Sequence, residues 1–203
     1  MKKDNSTLSH KLKLRKKALL KIDDPVILET HSGYGVLFDR CYRDVKKGVA
    51  FDLDREKITW VAKQRPEWMV YQADSLYCIK NNIDTGLKFN FIDIDPYGSS
   101  LEYVIEFLKS SIERDDHFII VANDGLRAKL KISAWEVKIL KKAILKFGSN
   151  SIYKSYLGIV NWMINEFCIE TNHELSRFGG YYCGKNNNMT HYIAEIKKGA
   201  SAP

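Results

Sequence analysis

The sequence predicts an α/β fold: a mostly parallel, seven-stranded sheet with helices on both faces and a C-terminal antiparallel hairpin. Two observations support this. Between residues 25 and 122, five short apolar segments alternate with segments of helical spacing, an order that gives parallel strands joined by crossover helices. Two further strand-like segments, 175–183 and 189–196, are joined across a Lys-Asn-Asn-Asn turn, so they are expected to pair as a hairpin.

Length and composition indicate one globular domain. The chain has 203 residues, of which 45% are hydrophobic and 12% aromatic, enough to bury a sizeable core. Its four cysteines show no C-x-x-C spacing and its five histidines form no H-x-x-x-H pair, so neither a zinc site nor a disulfide framework is predicted. No apolar run approaches the length of a membrane span and no leader is visible. A cytoplasmic protein with free thiols and without a metal or a membrane partner is therefore expected.

The net charge of +7 is concentrated at the amino terminus. Residues 1–22 hold eight basic side chains and one acidic side chain, so the other 181 residues are formally neutral. We predict a basic arm at 1–24, a single domain at 25–198 and a tail at 199–203. The arm would bind the phosphate backbone of a nucleic acid, because neutralising phosphates releases condensed counterions. A solvated tail has the same composition, and charge alone does not separate the two.

A glycine turn follows the first predicted strand, residues 25–29. The turn contains His31, Gly33 and Gly35 and leads into a helix that begins near Val36. Glycine lets the backbone approach a ligand without a Cβ in the way, and the amino terminus of the helix offers free N–H groups. This turn is therefore a candidate ligand-binding loop.

Carboxylates follow the second and third strands, predicted at 48–52 and 68–72. Asp52 ends the second strand 17 positions after Gly35, where an acid is placed to accept from both hydroxyls of a ribose. Asp54 is predicted to cap the next helix. Asp74, followed by Ser75, would either accept from the amine of an adenine or cap a short helix, and its position alone does not decide.

The fourth strand, within 89–95, ends in the segment that carries the predicted chemistry. Asp93 and Asp95 share one face of this strand, because side chains alternate with a period of two. Asp95, Pro96 and Tyr97 then supply a hydrogen-bond acceptor, a rigid turn and an aromatic ring, a combination suited to holding a flat ring that carries an amino group. An ordinary β-turn is the alternative, since Asp, Pro and Gly all favour turns.

The fifth strand, 118–122, also ends in polar residues, so two neighbouring strands are expected to form a crevice. We assign four residues near these strand ends to the substrate side: Gly98, Asn123, Asp124 and Arg127. Three more helices are predicted after the fourth and fifth strands. The first begins with a capping box of Ser99 and Glu102, the second is capped by Ser133 and Glu136 and stops at Gly148, and the third spans about 152–170.

Together these motifs resemble the class I S-adenosylmethionine-dependent methyltransferases over nearly the whole chain after residue 24. Glu29-x-x-x-Gly33-x-Gly35 resembles the first motif of that family, Asp52 its ribose-binding acid and Asp74 its adenine-side acid. The resemblance implies a Rossmann-like fold with S-adenosyl-L-methionine as cofactor, its methionine part lying along residues 29–35. The cofactor-binding residues are then expected to be Glu29, His31, Gly33, Gly35, Asp52, Asp74, Ser75 and Asp93.

The segment Asp95-Pro96-Tyr97-Gly98 resembles the fourth motif of the amino-group methyltransferases, commonly D/N-P-P-Y/F. It is closer still to the D-P-F/Y-G form of the tRNA guanine-N2 methyltransferases, although the second proline of the commoner form is absent. The resemblance implies that Asp95, Pro96 and Tyr97 are catalytic and that the acceptor is an exocyclic amino group of a DNA or RNA base. Residues 126–150 are the predicted substrate cover.

Three other functions remain possible on the sequence. A nicotinamide dehydrogenase would share the glycine turn and the ribose acid, but Phe38 stands where the third glycine of G-x-G-x-x-G belongs. A non-catalytic nucleic-acid-binding or cofactor-sensing protein could keep the same fold. A methyltransferase acting on a small molecule or a protein would carry the same motifs.

Overall fold

The computed structural model describes residues 7–133 and 137–199, and within them the predicted fold class is confirmed. The strands form one sheet in the order β3-β2-β1-β4-β5-β7-β6. Strands β1 to β5 run parallel, and β7 lies antiparallel between β5 and β6. The strands are β1 (Val26–Glu29), β2 (Lys47–Asp52), β3 (Met69–Gln72), β4 (Phe89–Ile94), β5 (Arg114–Asp124), β6 (His173–Cys183) and β7 (Met189–Lys198).

Helices cover both faces of this sheet. Within the described residues, no helix is long and apolar enough to cross a bilayer. The helices are α1 (Leu8–Leu19), α2 (Val36–Cys41), α3 (Arg55–Gln64), α4 (Ser75–Lys80), α5 (Leu101–Lys109), α6 (Leu126–Ser133), α7 (Lys141–Phe147), α8 (Ser149–Lys154) and α9 (Tyr156–Glu170).

Two apolar cores sandwich the sheet. The larger one packs α5 and α9 against one face, with Ile92 and Ile94 of β4 among its buried residues. The smaller one packs α1, α2 and α3 against the other face and includes Phe91 of the same strand. Every residue of β4 is buried, which explains why its sequence is apolar on both faces.

Part of the predicted arm is a docked helix. Leu14, Arg15 and Ala18 of α1 are buried, and the helix packs on the sheet beside β5 and β7. The solvated-tail alternative therefore does not describe residues 8–19. Composition missed this because the apolar positions of α1 are few and lie among lysines.

The predicted caps of two helices have different outcomes. Asp54 caps α3 as expected, accepting from the backbone N–H groups of Glu56 and Lys57. The predicted capping box at α5 does not form. That helix begins after Ser100, whose N–H donates to a carboxylate oxygen of Asp124 on β5 at 2.8 Å. The N–H of Leu101 still donates to the Ser99 hydroxyl at 3.3 Å, whereas Glu102 pairs with Lys80, so the tertiary contact adds to one half of the predicted cap.

The helices after β5 also differ from prediction. Gly148, with a φ of +77°, ends α7 as predicted, but that helix begins at Lys141, and Glu136 of the predicted cap lies outside the described residues. The helix expected at about 152–170 is broken at Ser155. The break is stabilised because the N–H of Leu157 donates to the hydroxyl of Tyr182 at 2.8 Å, which gives α9 its own amino terminus.

Candidate functional site

Acidic side chains converge where the parallel strands end. Glu29 ends β1 and pairs in register with Asp93 on the neighbouring strand β4. Asp52 ends β2 on the other side of β1, and Asp95 follows β4. In open α/β sheets, ligands bind in the crevice at this edge. The structure thus brings together four of the carboxylates that the sequence predicts.

The glycine turn is hydrogen-bonded to the end of the second strand. The N–H of Gly33 donates to Asp52 Oδ2 at 2.9 Å, so the predicted ribose acid also holds the turn. Gly33 has a φ of +54°, and a Cβ built on it would meet no atom within 4 Å, which leaves open space against the backbone. Gly35 has a φ of +67°, and a Cβ there would approach the ring of Trp60 to 3.1 Å. Both positions therefore favour glycine.

The carboxyl group of Glu29 is buried without a partner. Glu29 is 1% exposed, and neither oxygen has a hydrogen-bond partner among the described residues. Burial, followed by the charge of Asp93, raises the pKa of Glu29 well above its usual value. An unpaired buried carboxyl is costly to the fold, and a cationic group placed beside it would relieve that cost.

Asp93 is held by the protein itself. Arg15 Nε donates to Asp93 Oδ2 at 2.6 Å and Arg15 Nη2 donates to Oδ1, while the hydroxyl of Tyr42 also donates to Oδ2. Burial lowers the pKa of the Arg15 guanidinium, but Asp93, Tyr42 and Asp95 together outweigh burial and raise it. Burial raises the pKa of the Tyr42 hydroxyl as well. Asp93 therefore anchors α1 to the sheet.

Asp95 binds a lysine ammonium. Lys11 Nζ on α1 lies 2.7 Å from both carboxylate oxygens of Asp95. Pro96 is half-buried and the side chain of Tyr97 is fully exposed, so the aromatic ring stands free at the rim of the crevice. The carbonyl of Gly98 accepts from the N–H of Gly125 at 2.8 Å, which ties the turn after β4 to the end of β5. The turn is thus fixed next to the second polar strand end.

The remaining predicted cofactor residues have local partners. Asp74 caps α4 by accepting from the N–H groups of Leu76 and Tyr77, which is the second of its two predicted roles. Ser75 is buried at the start of that helix. His31 contacts the Thr30 hydroxyl at 2.8 Å through Nδ1, and burial lowers the pKa of its imidazole.

Two predicted substrate-side residues have structural contacts instead. Asp124 is fully buried and binds the N–H and hydroxyl of Ser100, the N–H of Leu126 and the hydroxyl of Tyr156, so it fixes three helices. Burial raises the pKa of its carboxyl despite these bonds. Arg127 lies 4.0 Å from the ring centroids of both Tyr153 and Tyr182.

Sequence reasoning missed the residues that close the site from α1 and β7. Lys11 and Arg15, one helical turn apart, contact carboxylates more than 70 positions away, and nothing local marks them. His191, from β7, is fully buried, and neither ring nitrogen has a hydrogen-bond partner in the described part of the chain. The local signal was weak: a histidine before a short apolar run at 192–194.

A second depression lies at the opposite end of the sheet. It has a volume of about 630 Å³ and is lined by residues that include Arg114, Asp116, His173 and Lys198. No buried side-chain atom without a partner lies among its described lining residues. Nor does any group of three potential metal ligands occur in residues 7–133 and 137–199. We therefore place the candidate site at the carboxylate edge.

Comparison with known proteins gives likeness of fold. No family model matches the chain, and no curated protein matches it in sequence. Trm1 from Pyrococcus horikoshii, solved with S-adenosyl-L-methionine, is similar with a TM-score of 0.66 and 13% identity. The similarity covers 98% of this chain and 57% of Trm1, so this chain spans little more than half the length of that protein.

Two further solved structures share the fold. The N-methyltransferase NodS from Bradyrhizobium japonicum WM9, solved with S-adenosyl-L-homocysteine, has a TM-score of 0.59 and 9% identity, over 97% of this chain and 89% of NodS. TYW2 from M. jannaschii, solved with AdoMet, has a TM-score of 0.57 and 9% identity, over 98% of this chain and 78% of TYW2. The chain therefore has the Rossmann-like fold seen in S-adenosylmethionine-dependent methyltransferases.

Proposed function

We propose that this protein is an S-adenosylmethionine-dependent methyltransferase that modifies an exocyclic amino group of a nucleic-acid base. The observation that carries the proposal is the ion pair between Asp95 and Lys11. Both oxygens of Asp95 lie 2.7 Å from one amine nitrogen, so this carboxylate is oriented to accept from the N–H bonds of an amino group.

The residues at the carboxylate edge fit the proposed cofactor. The unpaired carboxyl of Glu29 would take the ammonium of the methionine part, and the open backbone at Gly33 would lie along it. Asp52 would accept from the ribose hydroxyls. S-adenosylmethionine, when bound, supplies a methyl group on a positively charged sulfur. The fold shared with NodS and TYW2, both solved with this cofactor or its demethylated product, supports the assignment.

Asp95 would favour the reactive form of the acceptor. The lone pair of an exocyclic amino nitrogen is delocalised into its ring, which makes the nitrogen a poor nucleophile. A carboxylate that accepts from the amino hydrogens favours a pyramidal nitrogen and stabilises the positive charge that develops there. Tyr97, exposed beside it, would stack on the base once the base leaves its helix.

Nucleic acid is the acceptor that the remaining charge favours. Lys13, Lys16 and Lys17 are exposed on α1, next to the proposed site.

The four cysteines form no disulfide, which supports a reducing compartment such as the cytoplasm. A nicotinamide dehydrogenase is disfavoured because Phe38 stands at the position of the third glycine. Its ring packs edge-on against the ring of Trp68, with 4.6 Å between the ring centroids.

Two measurements test this proposal. S-adenosylhomocysteine should raise the melting temperature, because a ligand that binds the folded state alone stabilises it by mass action, whereas NAD should not. Labelled methyl should then pass from S-adenosylmethionine to duplex DNA, single-stranded DNA or RNA. Stabilisation by NAD alone would overturn the cofactor assignment. Transfer to small amines or to protein, with none to nucleic acid, would overturn the acceptor.

A further inference from the structure

Three polar side chains stand in a row where β4 and β5 end and β7 begins. Ile94 of β4 pairs with Ala122 of β5, and the next residues along these two strands are Asp95 and Asn123. Asn123 pairs directly with His191 of β7. Since side chains alternate across a sheet, these three project toward the face that α1 covers. Arg15 of α1 lies within 3.4 Å of Asn123 Oδ1, which confirms that placement for Asn123.

Two members of this row have unused hydrogen-bonding groups. Asn123 and His191 are both fully buried. The amide nitrogen of Asn123 and both ring nitrogens of His191 lack partners among residues 7–133 and 137–199. Such groups are nearly always satisfied in folded proteins. A ligand that reached these buried groups would satisfy them.

The surroundings of His191 keep its ring neutral. Burial lowers the pKa of His191 to about 4. The charges of Arg15, Lys11 and His10 also lower this pKa, whereas the charge of Asp95 raises it. The ring of Tyr181 lies 5.6 Å away, centroid to centroid. A neutral imidazole offers one donor and one acceptor, and the Asn123 amide adds a donor.

Lys11 marks the entrance to this row. Its side chain is 22% exposed and that of Asp95 is 15% exposed, so solvent reaches the ion pair. A lysine side chain is flexible and can withdraw without movement of the helix that carries it. An incoming amino group would then take the place of the ammonium against Asp95.

We propose that Asp95, Asn123 and His191 form the pocket that recognises the acceptor ring, with an amino group at Asp95 and the neighbouring ring atoms at Asn123 and His191. This inference rests on the proposed function. The amide donor of Asn123 requires an acceptor atom beside the amino group. Adenine and cytosine present that order along their pairing edges, whereas guanine presents an N–H donor on its pairing edge and its acceptor N3 on the other side of the amino group. The pocket thus fits adenine or cytosine better than guanine.

The test uses the full-length protein and single-stranded oligonucleotides that each carry one adenine, cytosine or guanine. His191→Phe and Asn123→Leu should each lower kcat/KM by about 10- to 100-fold, mainly through KM, because each leaves a polar group of the base unpaired. Affinity for S-adenosylhomocysteine, measured by calorimetry, should stay within about twofold, since neither side chain is placed at the proposed cofactor site. His173→Phe, on β6 at the opposite end of the sheet, is the matched control and should leave both quantities unchanged.

Two further variants separate recognition from packing. His191→Gln keeps a donor and an acceptor and should retain more activity than His191→Phe, while Lys11→Met should lower KM by removing the competing ammonium. Equal losses in His191→Gln and His191→Phe, with equal falls in melting temperature, would show that the ring only packs and would overturn the inference.

The base preference of the wild-type protein and the KM values of the variants separate failure of the inference from failure of the proposed function. A preference for guanine, or unchanged KM in both His191→Phe and Asn123→Leu, would overturn the inference while leaving the proposed function intact. Absence of transfer to every base in the wild-type protein would overturn the proposed function itself, and the inference with it.

Discussion

Glu29 is the residue at which the stability of the fold and the proposed binding conflict. Its carboxyl is buried without a partner among the described residues, and burial raises its pKa above the ordinary value of about 4.5. The folded protein therefore holds a proton that the unfolded chain has released. Between the ordinary pKa and the folded one, stability falls as pH rises.

Substitution of Glu29 should remove this pH dependence. Glu29→Gln is expected to be as stable as the wild type near pH 4 and more stable at pH 8, where the wild type either keeps a costly proton or buries a charge. Denaturant unfolding at several pH values measures the difference. Parallel curves for the two proteins would show that Glu29 is not protonated on folding.

Cofactor binding should release that proton. If the ammonium of S-adenosylhomocysteine lies against Glu29, it favours the charged carboxylate and expels up to one proton at a pH between the ordinary pKa of Glu29 and its raised value. Calorimetric titrations in buffers of different ionisation enthalpy count the protons. Release should vanish in Glu29→Gln, and an identical proton count in the two proteins would place the ammonium elsewhere.

At the residue scale, the sequence predicted the groups that local geometry selects. Gly33, Gly35 and Asp52 follow strand ends, and their positions reflect backbone rules that hold within a few residues. His191 and Asn123 become neighbours through the pairing of β5 with β7, 68 positions apart in the chain, so no local pattern could associate them. Asp124 was predicted at the right strand end, but tertiary bonds take up its oxygens.

The helix α1 is held to the sheet by one buried ion pair. The side chains of Arg15 and Asp93 are 0% and 1% exposed. Removing one partner of such a pair leaves the other charge buried and uncompensated. Over α1, the predicted basic arm is therefore part of the folded domain.

Arg15→Met should therefore destabilise the fold by about 3 to 5 kcal/mol. The double variant Arg15→Met/Asp93→Asn should recover much of the loss, because no charge is then stranded. Lys16→Met, on the exposed side of the same helix, is the matched control and should change the free energy of unfolding by less than about 0.5 kcal/mol. Denaturant unfolding measures all three. An Arg15→Met protein as stable as the control would show that α1 is not docked through this pair.

In the folded molecule, part of the positive charge of the basic segment is paired with carboxylates. Lys11, Arg15 and Lys21 of the basic segment pair with Asp95, Asp93 and Glu195. Among the described residues of α1, the exposed lysines are Lys13, Lys16 and Lys17. The predicted nucleic-acid contact then rests on these three side chains rather than on the full net charge of the segment.

Replacing these three lysines with glutamine should weaken nucleic-acid binding and flatten its salt dependence. Each lost phosphate contact lowers the slope of log K against log salt by about 0.7 to 0.9. Titrations at several salt concentrations measure the slope. A control with three exposed lysines elsewhere should retain the wild-type slope, and an equal change in both proteins would show that no particular surface binds. The control is Lys63→Gln/Lys88→Gln/Lys197→Gln.

The fold of the whole molecule was predictable because each strand and each crossover helix has its own spacing of apolar residues in the sequence. The helix boundaries after β5 were not predictable, because the break at Ser155 falls within a continuous apolar pattern. That break depends on the bond between the N–H of Leu157 and the hydroxyl of Tyr182. The docking of α1 was equally hidden, since its contacts depend on carboxylates brought to the edge of the sheet by folding.

Methyl transfer by Asp95→Ala shows directly whether Asp95 acts on the acceptor amino group. The variant should bind S-adenosylhomocysteine with nearly the wild-type affinity, since Asp95 is assigned to the acceptor. Its rate of transfer to nucleic acid should fall by two or more orders of magnitude, the scale of a lost electrostatic contact in the transition state. A folded Asp95→Ala protein that binds cofactor and methylates nucleic acid at the wild-type rate would contradict the account.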